Sequence, residues 1–182
     1  MKIIQLIPED HSAAEQAAKL LVSGFVEMAP DAWPDIASAQ EEVRKALEAG
    51  KICLVAKDAK DQVVGWVGGL HAYARVWELH PLVVSPQEQG RGVGRELVKA
   101  LEQEVKLRNG LTVMLGTDDV ANMTTLSGTD LYQNTWQRVK EIKNLRRHPY
   151  EFYEKCGYVI VGVVPDANGY GKPDILMAKR IE

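Results

Sequence analysis

The chain has 182 residues, of which 46% are hydrophobic and 26% are charged, an ordinary composition for a globular protein. A net charge of −3 and the lack of a basic run argue against a nucleic-acid-binding protein. Cys53 and Cys156 are isolated, so the sequence predicts neither a disulfide framework nor a cysteine metal cluster. Residues 1–11 lack the apolar segment of a secretion signal, and no apolar stretch reaches membrane-spanning length. We therefore expect a cytoplasmic protein without a membrane partner.

The apolar pattern predicts alternating strands and helices along the whole chain. Apolar runs predict strands at 2–7, 51–57, 62–71, 77–84, 111–116, 158–164 and 174–181. Apolar residues at helical spacing predict helices at 12–28, 38–50, 93–109, 130–145 and 149–156. Ser38 and Glu41 have the spacing of a capping box and predict the start of the second helix. The order is β-α-α-β-β-β-α-β-α-β-β when the last two helices are taken together. It indicates one α/β domain over residues 1–182, with a mixed, mostly antiparallel sheet flanked by helices.

A glycine-rich loop joins the fourth predicted strand to the central predicted helix. From Gln89 to Gly94 the sequence is QGRGVG. Glycine lets backbone N–H groups approach a phosphate closely, and the start of a helix adds unpaired donors and a partial positive charge. No Gly-Lys-Ser/Thr follows, so the loop is not a P-loop, and Arg95 stands where a dinucleotide fingerprint requires glycine. A turn that merely opens a helix remains the alternative to an anion site.

Polar side chains at two predicted strands are candidates for catalysis or binding. Glu78 and His80 lie two residues apart on the fourth strand, so both side chains point to the same face. Asp118 and Asp119 follow the next strand at its C-terminal end, where ligands of open α/β sheets commonly lie. The alternative for the aspartates is a turn with a capping carboxylate.

The pattern Gln89-x-x-Gly92-x-Gly94 between a strand and a helix resembles the pyrophosphate loop of the GCN5-related N-acetyltransferase (GNAT) superfamily, which binds acetyl-coenzyme A. Longer segments resemble the aminoglycoside 6'-N-acetyltransferases, in particular the compact chromosomal group of Gram-positive cocci. These segments are WELHPLVV at 77–84, LGTDD at 115–119, TTLSGTDLY at 124–132, HPYEFYEKCGY at 148–158 and KPDILMAK at 172–179. Residues 1–49 resemble that group only loosely.

The resemblance implies a GNAT-like fold, a homodimer, and transfer of acetyl from acetyl-CoA to the 6'-amine of an aminoglycoside. Acetyl-CoA is then a co-substrate, and no metal is expected, because His11, His71 and His148 also lack metal-ligand spacing. Two alternatives stay open. The acceptor is a different amine, such as a polyamine, a small metabolite or a protein, or the chain is a non-catalytic coenzyme A sensor.

Three residues carry the implied chemistry. Glu78 attracts the substrate ammonium and accepts its proton, and His80 passes that proton outward, because histidine titrates near neutral pH. Tyr153 matches the superfamily tyrosine that faces the coenzyme sulfur and protonates the leaving thiolate. The alternatives are that Glu78 only anchors the cation, that His80 is structural, and that Tyr153 belongs to the core. Helical spacing places Phe152 and Cys156 on an inner face, and Tyr153 on a different edge.

The remaining candidates follow from the same resemblance. The Leu82 backbone N–H faces the acetyl carbonyl, the Val84 backbone pairs with the pantetheine arm, and the loop holds the pyrophosphate. The predicted coenzyme-binding residues are Leu82, Val83, Val84, Gln89, Gly90, Arg91, Gly92, Val93, Gly94 and Arg95. The predicted substrate-binding residues are Glu78, Asp118, Tyr73 and Trp33, the last two as walls of the substrate cleft.

Overall fold

A computed structural model describes residues 1–27 and 29–181. The chain forms two compact units, one of residues 1–113 with Ile181 and one of residues 114–180. The predicted single domain over residues 1–182 stays a prediction.

The first unit contains four antiparallel strands whose spatial order follows the sequence. They are β1 (Lys2–Gln5), β2 (Ile52–Lys57), β3 (Val63–Tyr73) and β4 (Val76–Val84). The strands β2 and β3, predicted at 51–57 and 62–71, form a hairpin. Its turn is closed by Asp58, whose carboxylate accepts hydrogen bonds from the backbone N–H groups of Lys60 and Gln62 at 2.8 and 2.9 Å.

Three helices complete the first unit: α1 (His11–Phe25), α2 (Ile36–Ala46) and α3 (Val93–Leu107). The predicted capping box at Ser38 is wrong, because α2 begins one turn earlier. Asp35 is the N-cap, and its carboxylate accepts a hydrogen bond from the Ser38 N–H at 2.8 Å. The predicted end of the first helix, Met28, lies outside the described residues.

Helices cover both faces of this four-stranded sheet. On one face α1 and α2 pack over a core that includes Trp66 and Val83. On the other face lies α3, whose predicted apolar stripe is buried as expected: Val93, Leu97, Leu101 and Val105. Gly65 and Gly69 of β3 lie under α3, where an added Cβ would stand 2.8 Å from Leu97 and 3.0 Å from Leu101. Small residues thus let the helix approach the sheet.

The second unit is built around the C-terminal strands. Its elements are β5 (Thr112–Asp118), which begins in the first unit, α4 (Thr135–Lys140), α5 (Tyr150–Lys155), β6 (Val159–Val164) and β7 (Asp174–Arg180). Strand β7 lies between β5 and β6, and β6 pairs with it antiparallel.

The predicted helix over 130–145 is wrong, since only Thr135–Lys140 is helical. The residues after α4 are drawn into extended pairing with the segment that follows β5. Thr125 N–H donates to Lys143 O at 3.1 Å, and Leu145 N–H donates to Met123 O at 2.7 Å. Backbone groups with these partners are not available to a helix.

The predicted α/β class, with mostly antiparallel strands and flanking helices, is confirmed. Among the described residues, no helix is both long and apolar enough to cross a membrane.

Candidate active site

Strand β4 contains a bulge at its centre. Val67 of β3 lies opposite Leu82, and Gly69 lies opposite Leu79. Between these two pairs, β4 therefore contains one residue more than β3. Gly68 faces the bulge, and a Cβ on it would lie 2.3 Å from the carbonyl oxygen of His80. Only glycine therefore lets the two backbones approach this closely.

The strand positions Glu78 and His80 on the face that α1 and α2 cover. Leu79 lies opposite Gly69, which faces Leu101 of α3, so the alternating side chains of Glu78 and His80 point the other way. Glu78 is half-buried and His80 is exposed at the surface. The strand spacing predicts this shared face.

Aromatic residues of the α1–α2 segment stand beside His80. The ring centroids of Trp33 and His80 are 5.9 Å apart, and Phe25 packs edge-on against Trp33 at 4.7 Å. Trp33, a predicted wall of the substrate cleft, therefore lies next to a predicted catalytic residue. Tyr73, the other predicted wall, lies opposite Val76 at the end of the β3–β4 hairpin and is 69% exposed.

The glycine-rich loop after β4 leaves backbone donors available at the start of α3. Gly92 is the N-cap of α3 with φ 88°, and Gly90 has φ 74°, a backbone region that favours glycine. The first hydrogen bond of the helix runs from Glu96 N–H to Gly92 O at 3.1 Å. The N–H groups of Val93, Gly94 and Arg95 precede it and have no partner within the helix. Together with the helix dipole, these donors suit the anion that the sequence predicts for this loop.

Side chains contribute less to this loop than its backbone does. The Gln89 amide donates to Val84 O at 3.1 Å and ties the loop to the end of β4. Arg91 is exposed and pairs with Glu88 at 3.0 Å, and Arg95 is also exposed. The Val83 side chain is 4% exposed in the core, so it can serve a coenzyme only through its backbone.

In the second unit, Tyr153 lies on the inner face of α5. Its ring is 8% exposed and contacts Phe152 and Tyr158, with centroids 5.0 and 5.9 Å away. The predicted inner face is wrong: Tyr150 and Tyr153 are buried, whereas Phe152 and Cys156 are half-buried. The reason is that Tyr158, directly after the helix, packs against the edge that carries Tyr153.

Burial, with a smaller contribution from Cys156, raises the pKa of the Tyr153 phenol above its ordinary value. The hydroxyl therefore stays protonated at neutral pH and is able to donate a proton or a hydrogen bond.

A buried histidine connects Asp118 to the start of α5. Asp118 is the last residue of β5, and its exposed carboxylate accepts a hydrogen bond from the Asn168 amide. His148 Nε2 lies 3.2 Å from Asp118 O, and His148 Nδ1 accepts the Tyr150 N–H at 3.2 Å. These partners assign the proton to Nε2. Burial lowers the pKa of His148, so the ring is neutral.

The neighbouring Asp119 has a structural role. It is fully buried and accepts hydrogen bonds from Met123 N–H and from both donors of Thr124. Burial alone would raise the pKa of this carboxyl, but hydrogen bonds from Ser127, Met123 and Thr124 outweigh it and lower the pKa. Asp119 therefore has the alternative role predicted for the aspartates, that of a carboxylate that caps a turn. The Asp118 side chain is exposed at the surface and stays the candidate for substrate binding.

A family model for acetyltransferases (GNAT) matches residues 15–127, well over half of the chain. The chain belongs to the GNAT family.

Solved structures of GNAT acetyltransferases cover this chain from end to end. An aminoglycoside 6'-N-acetyltransferase from Enterococcus faecium is 45% identical, with a TM-score of 0.90 over 100% of this chain and 98% of that one. Another aminoglycoside 6'-N-acetyltransferase, solved with coenzyme A, is 44% identical, with a TM-score of 0.91 and the same coverage. The type Ii aminoglycoside 6'-acetyltransferase is 37% identical, with a TM-score of 0.77 over the same shares. No protein in a search of curated sequences matches.

The GNAT chain has a loop that fits coenzyme A. Three helix-start N–H groups and two glycines with positive φ suit a pyrophosphate, which carries negative charge on oxygens that accept hydrogen bonds. Within residues 1–27 and 29–181, no three His, Cys, Asp or Glu side chains are grouped as metal ligands.

The structure brings two residues next to the predicted catalytic residue His80 that the sequence pattern did not indicate, Gly68 and Glu42. Gly68 stands inside a strand, and a glycine there is itself a signal of a bulge or a close backbone approach. Glu42 of α2 lies 3.8 Å from His80. The sequence feature that could have indicated Glu42 is its position next to Val43, which belongs to the buried stripe of α2.

Proposed function

We propose that this protein transfers the acetyl group of acetyl-CoA to the 6'-amine of aminoglycoside antibiotics and thereby confers resistance to them. The observation that carries this proposal is the end-to-end similarity, at 44–45% identity, to two aminoglycoside 6'-N-acetyltransferases. This similarity spans the whole chain and is not confined to the glycine-rich loop.

The acceptor chemistry fits the polar face of β4. An alkyl ammonium has a pKa of about 10 and must lose a proton before it attacks. In the proposal, the Glu78 carboxylate binds the ammonium, and His80 on the same face takes the proton toward solvent. Trp33 provides an apolar wall beside this path, and exposed Asp118 provides a second carboxylate for a polycationic substrate.

The coenzyme side is proposed to use mostly backbone groups. Acetyl-CoA supplies a thioester: the new C–N bond forms, the C–S bond breaks, and the leaving sulfur requires a proton. The Leu82 N–H faces the acetyl oxygen, the Val84 backbone pairs with the pantetheine arm, and residues 89–95 hold the pyrophosphate. Tyr153 gives the proton to sulfur, a role that suits a buried phenol whose raised pKa keeps it neutral.

Release of coenzyme A thiol from acetyl-CoA tests the function directly, with kanamycin, paromomycin and spermidine as acceptors. Paromomycin is the matched control, because it carries a hydroxyl at the 6' position where kanamycin carries an amine. We expect turnover with kanamycin and little with paromomycin. Turnover with spermidine alone would contradict the aminoglycoside substrate. Binding of acetyl-CoA without any turnover would instead favour the sensor.

The variant Glu78→Gln tests the assignment of that residue to the substrate side. We expect kcat/KM for kanamycin to fall about 100-fold, as for the loss of one acid–base group. Acetyl-CoA affinity, measured by calorimetry, stays close to that of the unchanged protein. An equal loss of coenzyme affinity would show that Glu78 does not belong to the substrate side.

We also propose a cytoplasmic homodimer. Strand β6 exposes apolar side chains, namely Val159, Val161 and Val164, each 43–61% exposed, which suit a contact with a second copy. Size-exclusion chromatography with light scattering that returned a monomer would contradict the dimer.

A further inference from the structure

Helix α2 directs one carboxylate toward β4. The buried stripe of α2 consists of Ala39, Val43 and Ala46, and Glu42 lies beside it with 22% of its side chain exposed. The preceding residue, Glu41, is turned to solvent and pairs with Arg44 at 2.7 Å. Two acidic neighbours on one helix thus have different surroundings, and only Glu42 faces the sheet.

The partner of Glu42 is His80, one of the two candidates for taking the substrate proton. Glu42 Oε1 lies 3.8 Å from His80 Nε2, an ion-pair distance that is longer than a hydrogen bond. Two groups lie around the His80 ring, Glu42 from α2 and Trp33 from the α1–α2 segment, whereas Gly68 of β3 faces the His80 backbone carbonyl. Glu78, two residues earlier on β4, shares its face. Among residues 1–27 and 29–181, Glu42 is the charged side chain at ion-pair distance from His80.

We propose that Glu42 is a positioning residue that acts on the reaction through His80. This inference rests on the proposed function. The Glu42 carboxylate holds Nε2 toward α2, which leaves Nδ1 as the ring nitrogen that faces the substrate. When the ammonium is deprotonated, its N–H bond breaks, the electron pair stays on the amine nitrogen, and the proton forms an N–H bond at Nδ1. The resulting imidazolium lies beside Glu42, whose negative charge stabilises it.

The distance between the two side chains separates this role from a structural one. At 3.8 Å, Glu42 and His80 interact through charge and not through a hydrogen bond. Replacing the Glu42 carboxylate by an amide of the same shape therefore preserves the packing of the side chain but removes its negative charge. Glu42→Gln is this change, and Glu41→Gln is the matched control, because it removes the same charge from an exposed position of the same helix.

The acidic limb of the kcat/KM profile for kanamycin is the first measurement. Protonated His80 cannot accept a proton, so activity falls at low pH, and loss of the nearby charge moves this limb to lower pH. We expect this shift in Glu42→Gln, little shift in Glu41→Gln, and a limb close to the original in Glu42→Asp. An unchanged limb in Glu42→Gln, or an equal shift in Glu41→Gln, would overturn the proposal.

Two further measurements test whether Glu42 acts through His80. NMR titration of the His80 ring, identified by its loss in His80→Ala, should show the same shift in Glu42→Gln without any need for turnover. In a His80→Ala background, Glu42→Gln should have no additional effect on kcat/KM, and a full additional loss would contradict action through His80. Failure of the unchanged protein to acetylate kanamycin would refute the proposed function, whereas normal turnover with an unshifted His80 titration refutes only the role of Glu42.

Discussion

The contact between Gly68 and the bulge of β4 makes Gly68→Ala the most informative single substitution. The new Cβ would lie 2.3 Å from the His80 carbonyl oxygen, 3.1 Å from its carbon and 3.3 Å from Pro81 Cδ. Since C···O contacts are normally no shorter than about 3.3 Å, the two strands must separate by about 1 Å. The obstacle is backbone and proline ring, which cannot rotate away as the end of a flexible side chain can.

Both stability and catalysis should respond to this displacement. Overpacking of a well-packed site costs about 1–3 kcal/mol. For a protein of this size, each kcal/mol lowers the thermal midpoint by roughly 2–4 °C. The bulge also carries His80 and leads directly into Leu82, and a 1 Å misplacement of reacting groups costs about 100-fold in rate. We therefore expect a lower Tm together with a loss of kcat/KM on the order of 100-fold.

Thermal unfolding and kanamycin acetylation measure the two effects, with Gly162→Ala as control. Gly162 is a half-buried strand glycine of β6 whose added Cβ would meet only Leu176 Cδ1, at 3.8 Å. The control should leave Tm unchanged or raise it slightly, because alanine reduces the entropy of the unfolded chain. If Gly68→Ala retained the original Tm and turnover, the bulge of β4 would not depend on the close approach of Gly68 to the His80 carbonyl.

Three further predictions follow from conformation and burial. Gly92→Ala forces a left-handed residue at the N-cap of α3, at a cost of about 1–2 kcal/mol, so it should weaken acetyl-CoA binding as measured by calorimetry. Gly50→Ala, at φ 90° and also in open space, should lose similar stability but no coenzyme affinity. Tyr153→Phe should lower kcat about 100-fold in steady-state kinetics with little change in KM, because only a proton donor is removed. Burial lowers the pKa of His148 from 6.5. Just below pH 6.5 the unfolded chain therefore binds a proton at His148, whereas the folded chain does not. Stability should therefore fall as the pH drops below about 6.5, and less steeply in His148→Gln, as followed by Tm at several pH values.

Each of these predictions has a contradicting result. Equal losses of coenzyme affinity in Gly92→Ala and Gly50→Ala would point to general destabilisation. A Tyr153→Phe variant with unchanged kcat would remove the phenol from the reaction. Parallel Tm–pH curves for the unchanged protein and His148→Gln would mean that the buried ring does not govern acid sensitivity.

Local signals in the sequence predicted the features that depend on neighbours in the chain. The stripe from Val93 to Val105 and the glycines at 90 and 92 act within one loop and one helix, and the structure shows both as expected. The shared face of Glu78 and His80 likewise needs only the two-residue repeat of a strand.

Features that depend on tertiary competition were predicted less well. Ser38 had the right spacing for a cap, but Asp35 caps the helix one turn earlier. Residues after α4 have helical spacing, yet their backbone groups pair with the segment after β5. The orientation of α5 is set by Tyr158, and the approach of Glu42 to His80 depends on how α2 packs on the sheet. These contacts depend on which groups are close to each other in the folded protein. The spacing of residues along the chain does not show this.

The phosphate loop consists of main-chain donors around glycines whose Cβ positions face open space. Because these donors are main-chain groups, replacement of side chains that do not position the loop leaves them in place. The aromatic segment around Trp33, by contrast, presents side chains, and each substitution there changes the shape that meets the acceptor. Under the proposed function, substitutions within residues 25–27 and 29–42 therefore change the acceptor range while the contacts to the acetyl donor stay the same.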